Sequence, residues 1–391
     1  MLGLALEGGG AKGAYHMGAV KAYLEAGYEF DGVVGTSIGA LNGAVIAQGD
    51  FEVGYRMWLR MDIPQVLDID EPQYRKLLDR RIDQDAIRHL ADRIKRIIRN
   101  RGMDTGKIRR LIENVVDESK LRQSETDFGL VTVSLSDRKP LELYKEDIPE
   151  GRLTDYIIAS LTFPGFELQR IDEKVFVDGG LYNNLPINLL ARKGYKEIIA
   201  VRTLGLGVVR NMKAHQARDL NITAVIPSES LGGTLNFSNA SVRRNLLMGY
   251  YDAQRRLRGL KGSLYYFYSE GLHEERFVHA LASIPESSIF AIGKMLGIAE
   301  MPPKRMLFEK VLPKLSDLLK LPETLPYHEI VIRLFETLAE AKGMDKYRIY
   351  SFDEFLRQLN KLPMPETMGI YPSKQKLLHA VRELSAVFEL F

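Results

Sequence analysis

Gly32-Val33-Val34-Gly35-Thr36-Ser37-Ile38-Gly39-Ala40-Leu41 is the stretch on which the reading turns. Its first five residues are a short apolar run that reads as a strand. From Ile38 onward, Ile38, Leu41, Val45 and Ile46 recur on one face at helical spacing, toward an end near Gly49. Ser37 therefore stands at the joint between a strand and a helix. Upstream, residues 2–6 form another apolar run, followed by a glycine cluster and a helical stretch at 14–25. Strand, loop, helix and strand in succession are the seed of a parallel sheet with helices on its faces.

Downstream of the Ser37 helix, residues 72–120 are charged and helical in pattern, with Ile82, Ile87, Leu90, Ile94 and Ile97 as an apolar stripe, and read as an inserted helical cap. Strand signals return at 130–135, 141–144, 174–177, 197–202 and 222–226, and a long helix is expected over 239–258. From Leu272 the strand signal fades into amphipathic helices punctuated by prolines between Pro302 and Pro372. The expected organisation is an α/β domain over 1–271 and an all-helical domain over 272–391.

Composition narrows the function classes. The 391 residues hold 54 Lys plus Arg against 51 Asp plus Glu, a formal charge of +3, so no global basic field favours nucleic acid. With no cysteine, disulfides, thiolate catalysis and cysteine-held metals are excluded. No basic leader precedes residues 2–6, and no run approaches the ~20 apolar residues of a membrane span. The expectation is a cytoplasmic protein that meets lipid, if at all, from the water side.

Three motifs carry chemistry. Gly35-Thr36-Ser37-Ile38-Gly39 is a G-x-S-x-G between a strand and a helix, the setting of a nucleophile elbow, in which a tight turn lifts the serine above the sheet edge. Taken alone it is equally an N-cap serine between loop glycines. Gly8-Gly9-Gly10-Ala11-Lys12-Gly13 exposes backbone N–H groups that suit a pyrophosphate or the oxyanion of a tetrahedral intermediate. Its G-x-G-x-x-G spacing raises a dinucleotide, whose ribose needs an acid at the second strand's tip. Asp31 precedes that strand, and Ser37 occupies the tip. Asp178-Gly179-Gly180 follows another strand; by itself it reads as a hairpin turn, but at a strand end of the same sheet its carboxylate can reach Ser37 and take its proton.

Together the three blocks resemble the patatin-like phospholipases, whose members share a glycine-rich loop, a G-x-S-x-G serine and a D-G-[AG] aspartate in that order. Residues 159–166 resemble the family's segment ahead of the aspartate, and Asn183, Asn184 and Pro186 the stretch after it. The resemblance covers about residues 1–270. It implies a three-layer α/β fold with a central, mostly parallel sheet. It also implies that Ser37 is the nucleophile, Asp178 its base, and Gly8, Gly9 and Gly10 the oxyanion donors. Lys12 falls in the family's Lys/Arg slot, steadying the loop or favouring an anionic head group, and Gly13, Gly35, Gly39, Gly179 and Gly180 are supporting residues. The implied activity is hydrolysis of acyl esters of membrane lipids, of phospholipase A or lysophospholipase type, with no metal or organic cofactor.

Alternatives stay open. An α/β-hydrolase esterase needs a histidine after the acid. Of the candidates, His273 and His279 open the helical domain and His328 and His379 lie within it, leaving His215 to test. The segment His273-Glu274-Glu275-Arg276-Phe277 fails the zinc pattern H-E-x-x-H at Phe277. A non-enzymatic lipid or nucleotide binder retaining the fold is the reading from another class. Residues 88–110 hold nine Lys/Arg against two Asp, an excess that suits anionic lipid surfaces as well as a solvated helix face.

Overall fold

The apolar runs at 2–6, 32–36 and 197–201 form strands that are covered on both faces. The structure, a computed structural model, describes residues 1–61, 106–163, 166–211, 219–364 and 372–388. The cap reading up to residue 105, most of the 88–110 basic run and His215 lie outside the described residues. The chain divides into two units, Met1–Arg256 and Leu257–Phe391.

In the first unit the strands are β1 (Leu2–Leu6), β2 (Gly32–Thr36), β3 (Asp127–Ser134), β4 (Lys139–Tyr144), β5 (Gln169–Ile171), β6 (Lys174–Asp178), β7 (Glu197–Val201) and β8 (Asn221–Val225). They form one sheet in the order β5-β6-β3-β2-β1-β7-β8, with β4 paired to β3. The run β3-β2-β1-β7-β8 is parallel, while β4, β5 and β6 add antiparallel pairs. One face of the sheet carries Ala5, Val34 and Val131 against Leu189 and Leu190 of a short helix, Ile187–Arg192. On the other face Leu6, Val33 and Phe128 surround Gly43 of the helix Ile38–Ala47. Burial on both faces is why these strands read as continuous apolar runs instead of alternating ones. It also makes the three-layer α/β arrangement.

The register around β3 positions the site. A strand has two hydrogen-bonding edges, and β4 pairs along one of them from Gly129 to Ser134. Strands β2 and β6 therefore share the other edge. There β2 pairs with residues 127–131, and β6, running the opposite way, with residues 132–134. Thr36 lies opposite Val131 and Asp178 opposite Thr132, so the C-terminal ends of β2 and β6 meet head to head.

The second unit packs helices Glu274–Ala282, Glu286–Leu296, Tyr327–Ala341 and Phe352–Lys361 around Phe267, Phe277, Phe335 and Phe355. It is not wholly helical, and it starts earlier than the helical pattern does. Tyr266–Phe267 pairs in parallel with Ile349–Tyr350, which ties residues before Leu272 into this unit. Two-residue strands are too short for a period-2 pattern to register. Among the described residues no helix is long and apolar enough to cross a membrane.

Candidate functional site

Ser37 follows the last residue of β2 in a positive-φ backbone conformation, φ 56° and ψ −129°, that non-glycine residues seldom adopt. The neighbouring glycines explain how the turn closes. A Cβ on Gly35 would collide with the Gly39 carbonyl, and one on Gly39 with the Leu6 carbonyl. The N–H of Ser37 donates to Ser160 Oγ at 2.9 Å, and Ser160 Oγ donates in turn to the Val131 carbonyl at 2.7 Å. Ser160 is fully buried and thus ties the strained turn to β3. The segment containing it resembles the family on sequence, but nothing in the sequence singles out its hydroxyl.

Asp178 is the last residue of β6 and is buried. Its N–H donates to the Thr162 carbonyl at 2.9 Å, and its Oδ1 accepts the Gly180 N–H at 2.7 Å. Ser37 borders the same pocket as Asp178, and its side chain favours the ionised form of the carboxylate as a hydrogen-bonding partner does. Loss of water pushes the Asp178 pKa up from 3.8 to about 6, against the pull of the Ser37 hydroxyl and the Gly180 amide. Gly179 gives its carbonyl to the N–H groups of Tyr182 and Asn183, each at 2.9 Å, which turns the chain sharply away from the strand end.

The glycine loop is tightly held. The Gly8 N–H donates to the Asn184 carbonyl at 3.0 Å and the Ala11 N–H to the Thr234 carbonyl at 2.7 Å. Gly8 therefore does not belong with the anion-facing donors, a correction to its grouping on sequence. The N–H groups of Gly9 and Gly10 take no partner among the described residues, and both glycines border the same pocket as Ser37 and Asp178. Gly10 has φ +58°, with the Thr234 carbonyl where a Cβ would stand, so only glycine fits. Gly13, at the loop's end, gives its carbonyl to Asn42 Nδ2 at 2.9 Å.

Residues that the sequence did not single out fasten this loop to the chain after β7. Buried Glu7 accepts Arg202 Nε at 2.9 Å, the Thr203 N–H at 2.8 Å and the Leu204 N–H at 3.1 Å. Thr203 Oγ1 donates to the Gly8 carbonyl at 2.6 Å. Lys12 Nζ donates to the Leu204 carbonyl at 3.1 Å, so of the two roles read for Lys12 the geometry matches steadying the loop. Burial lowers its pKa, opposed by Glu7.

The pocket shared by Gly9, Gly10, Ser37 and Asp178 is, apart from Asn184 and Thr234, otherwise apolar, with Leu41, Met61, Ile108, Leu161, Phe166 and Phe237 among its walls. No histidine lines it among the described residues, and no group of metal-ligating side chains occurs among them. The arrangement is a hydroxyl and a buried carboxylate on one pocket, two amides without a partner among the described residues, and a largely apolar chamber. It can transfer a proton, stabilise an anion and hold a hydrocarbon.

Comparison with known proteins is consistent with that chemistry. Residues 4–191 match the family model described as patatin-like phospholipase. Patatin-like phospholipase domain-containing protein 6 of Homo sapiens is 28% identical over 204 residues, 51% of this chain and 13% of that protein. An NTE family protein of Mycobacterium tuberculosis is 26% identical over 247 residues, 62% of this chain and 59% of its own. This chain thus spans less than two thirds of the length of these relatives. The crystal structure of VipD from Legionella pneumophila aligns over 99% of this chain and 87% of that one, at TM-score 0.41 and 14% identity, a likeness too loose to build on.

Proposed function

We propose that this chain, whose residues 4–191 match the patatin-like phospholipase family model, is a serine acyl hydrolase acting on acyl esters of membrane lipids through Ser37 and Asp178. The observation that carries this reading is that the ends of β2 and β6 bring Ser37 and the buried Asp178 carboxylate, its pKa pushed up to about 6, to one pocket. At neutral pH such a carboxylate is ionised yet far more basic than an exposed one, which suits a general base.

Asp178 takes the Ser37 proton as Oγ attacks the ester carbonyl. The oxyanion forms against the N–H groups of Gly9 and Gly10, which need no reorganisation to receive it. The N-terminus of the helix Ile38–Ala47 adds partial positive charge behind Ser37. On collapse, Asp178 passes its proton to the departing alcohol or lysolipid, leaving the acyl group on Ser37. Water then gives a proton to Asp178 and attacks the acyl-enzyme, and the released Ser37 oxygen recovers that proton as the fatty acid leaves. The apolar walls hold the acyl chain throughout. The specific type is phospholipase A or lysophospholipase, the leaving group being the part of the lipid outside the pocket.

A fluorophosphonate probe tests the nucleophile directly. Wild type is expected to label, and Ser37→Ala neither to label nor to release fatty acid from a mixed lipid extract analysed by mass spectrometry. The loss of turnover should be on the order of 10⁴-fold or more. A Ser37→Ala protein that still releases fatty acid at the wild-type rate ends this reading.

A further inference from the structure

Residues 204–209, immediately after Thr203, expose more apolar surface than a short loop normally does. Leu204 is 53% exposed, Val208 43% and Val209 38%, while Leu206 between them lines the pocket that holds Ser37. Isolated exposed apolar residues are ordinary, but three on one short loop at the rim of an apolar pocket form a patch.

The loop is also fixed, not loose. Leu204 has φ +50°, a conformation that leucine rarely takes. It is held there by the Glu7 carboxylate on its N–H at 3.1 Å and by Lys12 Nζ on its carbonyl at 3.1 Å. Val208 is pinned on both sides, donating to the Gly180 carbonyl at 2.9 Å and accepting the Asn184 N–H at 2.6 Å. The anchors hold the backbone and leave the side chains of Leu204 and Val208 in water. The next residue, Arg210, stacks on the Tyr182 ring at 4.1 Å and donates to the Tyr182 hydroxyl at 2.6 Å. Its guanidinium meets no carboxylate among the described residues.

Apolar tips beside an arginine and a tyrosine match the layering of a bilayer, with hydrocarbon below and phosphate above. We propose that residues 204–210 are a membrane-surface dock. Leu204, Val208 and Val209 enter the acyl layer, Arg210 sits at the phosphate level, and Leu206 is thereby set where a lipid chain can pass into the pocket. The dock rests on the reading of that pocket as an acyl-lipid site.

The test uses the full chain carrying Ser37→Ala, so that vesicles are not consumed, in co-sedimentation with vesicles of phosphatidylcholine mixed with phosphatidylglycerol. The comparison protein adds Leu204→Asn, Val208→Thr and Val209→Thr, asparagine being chosen because it tolerates positive φ. Partition onto vesicles should fall at least about tenfold. In the Ser37 background Val209→Thr alone, at a side chain that holds no part of the site, should leave turnover of a soluble short-chain ester unchanged. Equal partition of the two proteins overturns the dock, as does failure of the parent to bind. A shift in oligomeric state on size exclusion caused by the triple substitution assigns the patch to a second copy and overturns it likewise. Partition is read without turnover, so vesicle binding in a protein that never labels with fluorophosphonate keeps the dock and removes the hydrolase reading. Labelling with partition indifferent to the substitutions does the reverse.

Discussion

Asp178 in the first unit and Glu336 in the second are both buried, both bonded to backbone amides, and both pushed up in pKa by loss of water. Their partners separate them. Glu336 Oε1 collects three amides, those of Ser263 at 2.7 Å, Leu264 at 3.0 Å and Tyr265 at 2.9 Å, and is walled in by the core of its unit. Asp178 has one amide at its side chain, a serine that favours its ionised form, and an open pocket in front. A raised carboxylate pKa therefore does not mark a reactive site by itself. What distinguishes Asp178 is a mobile proton within reach and space for something to react.

Substitution of the two acids should separate them most sharply. Asp178→Asn keeps the shape but removes the base, and ester turnover is expected to fall about 10³-fold or more. The same change removes a buried charge, so the melting temperature of the first unit should rise, by roughly 5 °C, in calorimetry. Glu336→Ala should do the opposite. It strands three buried amides and should cost about 3 kcal/mol in denaturant unfolding of the second unit, while turnover by the folded protein stays at wild type.

The pH dependence is the next largest effect. With Asp178 as the proposed base, active only when ionised, kcat/KM should decline about tenfold per unit of pH below a midpoint near 6, the raised pKa. For stability the sign is reversed from that of an ordinary surface aspartate. The folded pKa lies above the unfolded value, so between about pH 4 and pH 6 the folded chain keeps a proton that the unfolded chain has lost. Stability from this group is present below that window and declines as pH rises through it, by about 3 kcal/mol in all. Asp178→Asn should flatten both curves.

The smallest effect concerns Ser160. Ser160→Ala frees the Ser37 N–H and slackens the strained turn, with an expected fall of about tenfold in kcat and little change in KM. Ser160→Thr, which keeps the hydroxyl, should restore much of it. A drop confined to KM would make Ser160 a wall of the pocket and not a brace for the turn.

Much of this was legible in the sequence because it is local. Residues 2–6 and 32–36 are strands as read, since burial on both faces leaves an unbroken apolar run. The Ser37 turn and the glycine loop are written in glycines whose close contacts permit nothing larger. What stayed hidden depends on distant pairing. No local pattern shows that the Gly8 amide is taken by Asn184, that Glu7 gathers amides from the chain after β7, or that Ser160 braces Ser37. Strand β5 escaped notice because it is three residues long and its two-residue turn is Asp172-Glu173, not the Asn-Gly or Asp-Gly that signals such a hairpin. Nor does the sequence reveal that the aspartate strand runs against its neighbour, whereas a parallel sheet was the natural expectation.

That hairpin has a consequence for tuning. Asp172 and Glu173 both have positive φ, 46° and 66°, the backbone of a tight two-residue reversal, and Arg152 clasps Asp172 at 2.7 Å. The reversal fixes the register of β5 on β6, and β6 meets the overhang of β3 over only three residue pairs. A slide by two residues would preserve every inward and outward side chain yet carry the carboxylate about 7 Å along the strand, beyond reach of its serine. The spacing of Ser37 and Asp178 thus rests on a three-pair overlap next to a bend in solvent.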